Sequence, residues 1–126
     1  MTQPVARQND PVVAQDTHIV LTPSTVSVLL PFTGQLVTKL SPDVLVNGLP
    51  AATVDSIAQN MPPHIPPPGS SFSKPPTNLG RVVAGAPEVL VNGQQLARVG
   101  DPVETCNDPK DLPVGKITAG SPDVIA

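Results

Sequence analysis

Three side chains in this sequence have the chemistry to hold a metal ion or to attack a substrate. They are His18, His64 and Cys106, the only two histidines and the only cysteine of the chain. Imidazole nitrogen and thiolate sulfur together suit Zn²⁺ at tetrahedral geometry, and iron less well. A single cysteine excludes an internal disulfide. A nucleophilic role has little support, because Cys106 sits in Thr105-Cys-Asn-Asp-Pro109 with none of the motifs that mark acyl or phosphoryl transfer. A buried, inert thiol is the plain alternative for such a cysteine.

The elements that must position these residues emerge from an internal repeat. Ser41-Pro-Asp-Val-Leu-Val-Asn-Gly48 recurs as Ala86-Pro-Glu-Val-Leu-Val-Asn-Gly93, and Ser121-Pro-Asp-Val-Ile-Ala126 is a shorter third copy. A second element, Ala97-Arg-Val-Gly-Asp-Pro-Val103, is matched by Ala6-Arg-Gln-Asn-Asp-Pro-Val12 and, more loosely, by Ala51-Ala-Thr-Val-Asp55. On this alignment Asp10, Asp55 and Asp101 share one repeat position and read as turn residues that accept from backbone N–H groups. Val-Leu-Val is strand-favouring, and Asn-Gly directly after it is a strong hairpin signal. The chain therefore reads as all-β, with three short hairpins related by pseudo-threefold symmetry in a single domain, residues 1–126. His18, His64 and Cys106 stand eight, nine and five residues beyond the aspartates of their units. Threefold packing of the units would bring them together on the axis. A small core with scarce aromatics and irregular loops is the kind that a metal commonly staples.

Composition closes off other classes. Charged residues are 13% of the chain, against a usual level of about 25%. Seven Lys and Arg against ten Asp and Glu give a net charge of -3, which disfavours nucleic acid as a partner. Eighteen prolines interrupt any long helix, and no apolar run approaches the roughly 18 residues of a membrane span. The N-terminus has no apolar signal core, so synthesis in the cytoplasm without a signal peptide is expected. Between the repeats lie three segments expected to be ordered loops: Thr22–Gly34, the proline-rich Gln59–Gly80 and Cys106–Gly115.

The repeat and the loops together resemble the PAAR-repeat family, which supplies the pointed tip of contractile injection machines: type VI secretion, extracellular phage-tail-like particles and contractile phage tails. The likeness rests on Val-Leu-Val-Asn-Gly followed by Ala97-Arg-Val-Gly-Asp-Pro102. It extends to Leu30-Pro-Phe-Thr-Gly34, Pro62-Pro-His-Ile-Pro66, Ser71-Phe72, Lys74-Pro-Pro76 and Thr105-Cys-Asn-Asp-Pro109. The resemblance implies a small cone of β-hairpins whose wide base caps a trimeric β-helical spike, one tip per trimer, and whose point is closed by zinc. It implies a structural, membrane-piercing, non-enzymatic role as a monomer, any effector cargo being a separate chain. It implies assembly at the spike tip and delivery to or through a target membrane. By motif, His18, His64 and Cys106 match three of the family's ligands, usually three histidines and a cysteine. Leu30 stands where the remaining histidine is usual, so a water, Asp108 or Asp16 would complete the site, or three ligands would hold the metal alone. The strands around Val44, Val46, Val89 and Val91 are the expected builders of the spike-binding base. Two rival readings follow from the same residues: a metal-dependent effector or enzyme with an open coordination position, and a metal-free adhesive β-protein.

Overall fold

Strict alternation governs the first long strand. Val12, Asp16, His18 and Val20 are buried while Val13, Gln15 and Leu21 face outward, the period of two that a strand with one inner face requires. In the computed structural model, which describes residues 2–126, this strand is β1, Pro11–Leu21. It forms a long antiparallel hairpin with β2, Thr25–Thr38, in unbroken register from Pro11↔Gln35 to Leu21↔Thr25. Four further strands complete the body: β5 (Ile57–Asn60), β7 (Leu79–Val82), β10 (Pro102–Thr105) and β11 (Leu112–Ile117). They run in the order β11-β10-β7-β5-β2-β1, and a β1–β11 pairing closes the ring into a six-stranded, barrel-like cone. Closure removes the unpaired edges that short strands would otherwise expose. The two-residue strand β6, Ser71–Phe72, pairs with the far end of β1. No helix occurs among the described residues.

The pseudo-threefold is written in backbone hydrogen bonds. The N–H of Ala6 donates to the Ala97 carbonyl (2.9 Å), Ala97 to Ala52 (2.9 Å), and Ala52 to Ala6 (3.0 Å), a closed triangle of fully buried alanines. From this ring the chain leaves three times through a tight turn into β1, β5 and β10. Asp10 accepts from the Arg7 N–H (2.8 Å), Asp101 from the Arg98 N–H (2.7 Å), and Ser56 Oγ from the Thr53 N–H (2.9 Å). The middle copy is thus aligned one residue later than its sequence suggests. Ser56, not Asp55, is the equivalent of Asp10 and Asp101, while Asp55 takes the positive φ of Asn9 and Gly100 and pairs outward with Arg81. Counted from Ser56, His64 is eight residues on, the same interval as His18 from Asp10.

Above the ring, Val12, Ala58 and Val103 on the outgoing strands each face a glycine on one side and a larger residue on the other. The glycines are Gly34, Gly80 and Gly115; the larger residues are Ile117, Leu36 and Val82. Small opposite large is what lets a narrow barrel fill without voids. The glycines also make room for Phe32: a Cβ on Gly34 would lie 2.7 Å from the Phe32 ring and 2.8 Å from the Gln59 carbonyl.

At the opposite, wide end sit the Asn-Gly hairpins, β3/β4 (Leu45–Val46, Leu49–Pro50) and β8/β9 (Leu90–Val91, Gln94–Gln95). Asn47 and Asn92 adopt φ 53° and each is followed by a glycine near +80°, the left-handed pair that a two-residue turn needs. The third copy makes no hairpin; it bridges Pro4↔Ile125 instead. Each asparagine clasps the next unit. Asn47 accepts from Ser121 Oγ (2.7 Å) and donates to Asp123 (2.8 Å), while Asn92 accepts from Ser41 Oγ and donates to Asp43 (2.6 Å). The third corner receives no asparagine from residues 121–126, has Ala86 in place of serine, and borders a pocket of about 280 Å³.

Two expectations change. Thr22–Gly34 is no loop: most of it is β2, because Val26, Val28, Leu30 and Phe32 extend the period-two pattern opposite β1. Cys106–Gly115 is likewise half strand, entering β11 at Leu112. Within the base, Val46 and Val91 are buried in a second apolar cluster with Val5, Ala51, Ala86 and Leu96. Their side chains are therefore unavailable to a partner, and the outward residues of these hairpins are Val44, Leu45, Val89 and Leu90.

The corner clasps predict an asymmetric response. Ser121→Ala should lower the unfolding free energy by about 1–2 kcal/mol, since it strips a buried hydroxyl from Asn47 and from the N–H groups of Asp123 and Val124. Ala86→Ser, which buries a hydroxyl in the second apolar cluster at the corner without an asparagine, should bring no gain and cost about 1 kcal/mol. Urea denaturation of both variants checks this.

Candidate metal centre

Beyond the Phe32 layer the apolar core gives way to buried polar groups. Asp16 and His18 are two apart on β1 and so share its inner face. His64 arrives from the proline-rich segment after β5, and Cys106 from the turn after β10. One donor atom from each of Asp16, His18, His64 and Cys106 lies within 4.8 Å of all the others. The structure thus brings together all three sequence-derived candidates and, of the two aspartates offered to complete them, Asp16 and not Asp108. His64 Nε2 is 2.8 Å from Asp16 Oδ2; Cys106 Sγ is 3.6 Å from Asp16 Oδ2 and 3.9 Å from His18 Nε2. The His18 and His64 ring centroids are 4.9 Å apart, edge to face. Both phenylalanines of the chain flank the pair, Phe72 against His18 at 5.6 Å and Phe32 against His64 at 6.3 Å.

Asparagine side chains hold the irregular backbone that carries these donors. Asn107 Oδ1 accepts from the Thr17 N–H (2.7 Å) and ties the Cys106 turn to β1. Asn60 Oδ1 accepts from the Thr33 N–H (2.8 Å), and its amide donates to Asn78 Oδ1 (3.1 Å). That same Asn78 oxygen accepts the His64 N–H (2.8 Å). The proline-rich segment is therefore pinned beside the site despite its few backbone donors. Asp108 lies on the other side of the His18 ring. Its Oδ2 accepts from the Ile19 N–H (2.9 Å) and stands 3.6 Å from His18 Nδ1.

The donor chemistry fits a divalent ion. His18 Nδ1 is buried without a hydrogen-bond partner, an expensive condition for a polar atom. Ligation through Nε2 would leave the Nδ1 proton beside the Asp108 carboxylate, the arrangement that commonly supports metal-bound histidine. Burial, then the neighbouring His64, pushes the His18 pKa down, which keeps the ring neutral and able to ligate. Burial and, secondarily, Asp16 push the Cys106 thiol up to about 11. Hydrogen bonds from the Asn78 backbone and the Thr77 side chain favour the thiolate but are outweighed by burial and Asp16, so a cation would be needed to draw off the proton. Among the described residues the cluster offers no activated nucleophile.

Asn60, Asn78 and Asn107 escaped the sequence reading of the site, which offered Asp16 and Asp108 only as alternatives to a water and did not choose between them. For Asp16 a signal existed: Asp-x-His on an alternating strand puts both side chains on one face.

The thiol makes a testable statement. In metal-free protein Cys106 should resist iodoacetamide at pH 7.5 and react fast only in denaturant. A thiol raised from 9.0 to about 11 on folding contributes stability that is complete below about pH 9 and is lost as pH rises towards 11. Denaturation midpoints of the metal-free protein at pH 8 and pH 10.5 should therefore fall in that order, and Cys106→Ala should remove much of the difference.

Residues 73–126 match the family model described as the PAAR motif. No curated protein and no solved structure matches the chain. The matched residues contain β7 to β11, the second hairpin, the third copy and Cys106. The ring of Ala6, Ala52 and Ala97 shows residues 2–72 to be built on the same plan. Repeat, threefold cone and motif agree: residues 73–126 carry the PAAR motif, the mark of the structural spike tips of contractile injection systems.

Proposed function

We propose that this chain is a membrane-piercing tip that caps a trimeric β-helical spike as a monomer, one per trimer, with a zinc ion held at its point by His18, His64 and Cys106. The observation that carries the capping is an equivalence at the wide end. Leu45, Leu90 and Ile125, at one position of the three repeat copies, are 62%, 64% and 62% exposed, each preceded by an exposed valine. Large apolar side chains this open, at one position of three repeat copies, suit a threefold partner offering three like apolar sites. The chain's own residues do the mechanical work. The closed ring of strands resists shear, and the Asn60, Asn78 and Asn107 clasps keep the point from fraying. Bound zinc would supply coordinate cross-links among segments that are distant in sequence. Zinc is favoured over iron by the mix of one thiolate with imidazole in a buried site. In this reading the protein joins the spike in the producing cell and leaves only as part of the particle.

Metal analysis of purified, tag-free protein should give one zinc per chain. Cys106→Ser should lose most of it and melt several degrees lower; stripping with a chelator should lower the wild-type melting point likewise. Zinc uptake at pH 7 should release one proton from the thiol, measurable in weakly buffered dye. No stoichiometric metal in the wild type would remove the metal from the proposal and leave the cap. Co-expression with a trimeric β-helical spike should yield one tip per trimer. The Leu45→Glu/Leu90→Glu/Ile125→Glu variant should fold and bind zinc but not co-purify. Retained co-purification would place the interface elsewhere.

A further inference from the structure

Asp16 is fully buried, and among the described residues no lysine or arginine forms an ion pair with it. A carboxylate in that position needs a positive partner or a proton. Its two oxygens are not alike. Oδ1 accepts from Thr105 Oγ1 (2.6 Å) and faces Asn107 Nδ2 at 3.5 Å. Oδ2 is turned towards His64 Nε2 and Cys106 Sγ. One oxygen is thus anchored to the scaffold and the other is presented to the donor cluster.

We infer that Asp16 is the fourth ligand of the metal, bound through Oδ2, and that the site is closed and electrically neutral. The inference rests on the metal reading above and deepens it. Two neutral imidazoles, one thiolate and one carboxylate carry two negative charges and cancel a dication. In a pocket this dry an uncompensated charge would be costly. Donors around a tetrahedral zinc sit about 3.3–3.8 Å apart; Cys106 Sγ is 3.6 Å from Asp16 Oδ2 and 3.9 Å from His18 Nε2, while Asp16 Oδ2 and His64 Nε2, at 2.8 Å, are at hydrogen-bond distance and would separate by about half an ångström to take the ion. Asp108 is excluded because it meets His18 from the Nδ1 side, away from the cluster. The cross-strand neighbour completes the case. Leu30 pairs directly with Asp16 in the β1–β2 register, so both side chains point to one face. Leu30 and His64 border the same pocket of about 230 Å³. Position 30 therefore addresses the same site but carries no donor, and Asp16 supplies it from the opposite strand.

The test is whether the site has an open position. Cobalt(II) is loaded into wild type, Asp16→Asn and Asp16→Ala, and the visible spectrum is followed during titration with thiocyanate. A closed wild-type site should give an unchanged spectrum, and the Asp16→Ala spectrum should shift as the anion enters. Zinc affinity should fall about 10–100-fold or more in Asp16→Asn, and adding Leu30→His to that variant should recover most of it. A ligand is told from a positioning residue by X-ray absorption on the zinc-loaded wild type: one sulfur and three light atoms, only two of them imidazole. A wild-type spectrum that responds to thiocyanate, or an Asp16→Asn protein with wild-type affinity, overturns the inference. Should both Asp16 variants fail to fold, the wild-type titration and absorption spectrum still decide. Cys106→Ser separates the two readings. If it abolishes binding while Asp16 variants do not, the metal stands and the fourth ligand falls.

Discussion

Three alanine peptides that hydrogen-bond one another in a closed cycle set the geometry of everything above and below them. The cycle of Ala6, Ala97 and Ala52 requires segments from the start, middle and end of the chain to meet at one axis. Only a methyl group fits there, since each alanine is fully buried. A larger side chain at any one would push its peptide off the triangle and break two of the three bonds. Because the turn after each alanine is alike, three strands leave the ring at the same height and with the same inner face. The layer of Val12, Ala58 and Val103 against glycines is the immediate consequence. So is the hairpin layer on the other side, where Arg7↔Ala51, Thr53↔Leu96 and Val5↔Arg98 bridge each unit to the next.

The polar point of the cone is the cost and the purpose of that arrangement. Towards the narrow end Phe32 is the last large apolar side chain of the main core, and past the polar groups only Val20, paired with Phe72, is again fully buried. Beyond Phe32 the chain buries two histidines, a cysteine, an aspartate and several asparagines. The asparagines are satisfied by backbone partners, so they contribute rigidity. The His, Cys and Asp cluster is hydrogen-bonded internally except at His18 Nδ1, which is left alone. A buried network with one polar atom unsatisfied is a poor structural element by itself and a good binding site for the group that completes it.

How much of this was legible in the sequence divides along a physical line. Features encoded locally read correctly: Asn-Gly demands a turn wherever it occurs, and the doubled Val-Leu-Val-Asn-Gly announced the repeat. The convergence of His18, His64 and Cys106 followed from position within that repeat. Features decided by partners did not read. Leu30-Pro-Phe-Thr-Gly has turn-like residues, yet pairing with β1 holds it as strand, its proline included. Ser56 was passed over for Asp55 because a serine hydroxyl and a carboxylate both accept from the same turn N–H, and residue identity could not say which did. Val46 and Val91 share a motif with Leu45 and Leu90, and only the direction of the hairpin tells which faces out. At the site the sequence offered Asp16 beside Asp108 and a water and could not choose, because the choice depends on Thr105, 89 residues away, fixing one Asp16 oxygen so that the other points inward.

Building threefold symmetry from one chain, rather than from three, resolves a conflict between the two ends. A true trimer would present each donor three times on its axis. Four different donors around one point, two imidazoles with a thiol and a carboxylate, are then out of reach. Internal repetition frees each copy to diverge where it must. The strand after Asp10 ends in Asp16 and His18, the segment after Ser56 in His64, and the one after Asp101 in Cys106, while Leu45, Leu90 and Ile125 stay nearly equivalent at the base. Symmetry is kept where a threefold partner would feel it and given up within a few residues of the point, where one set of unlike side chains has to meet.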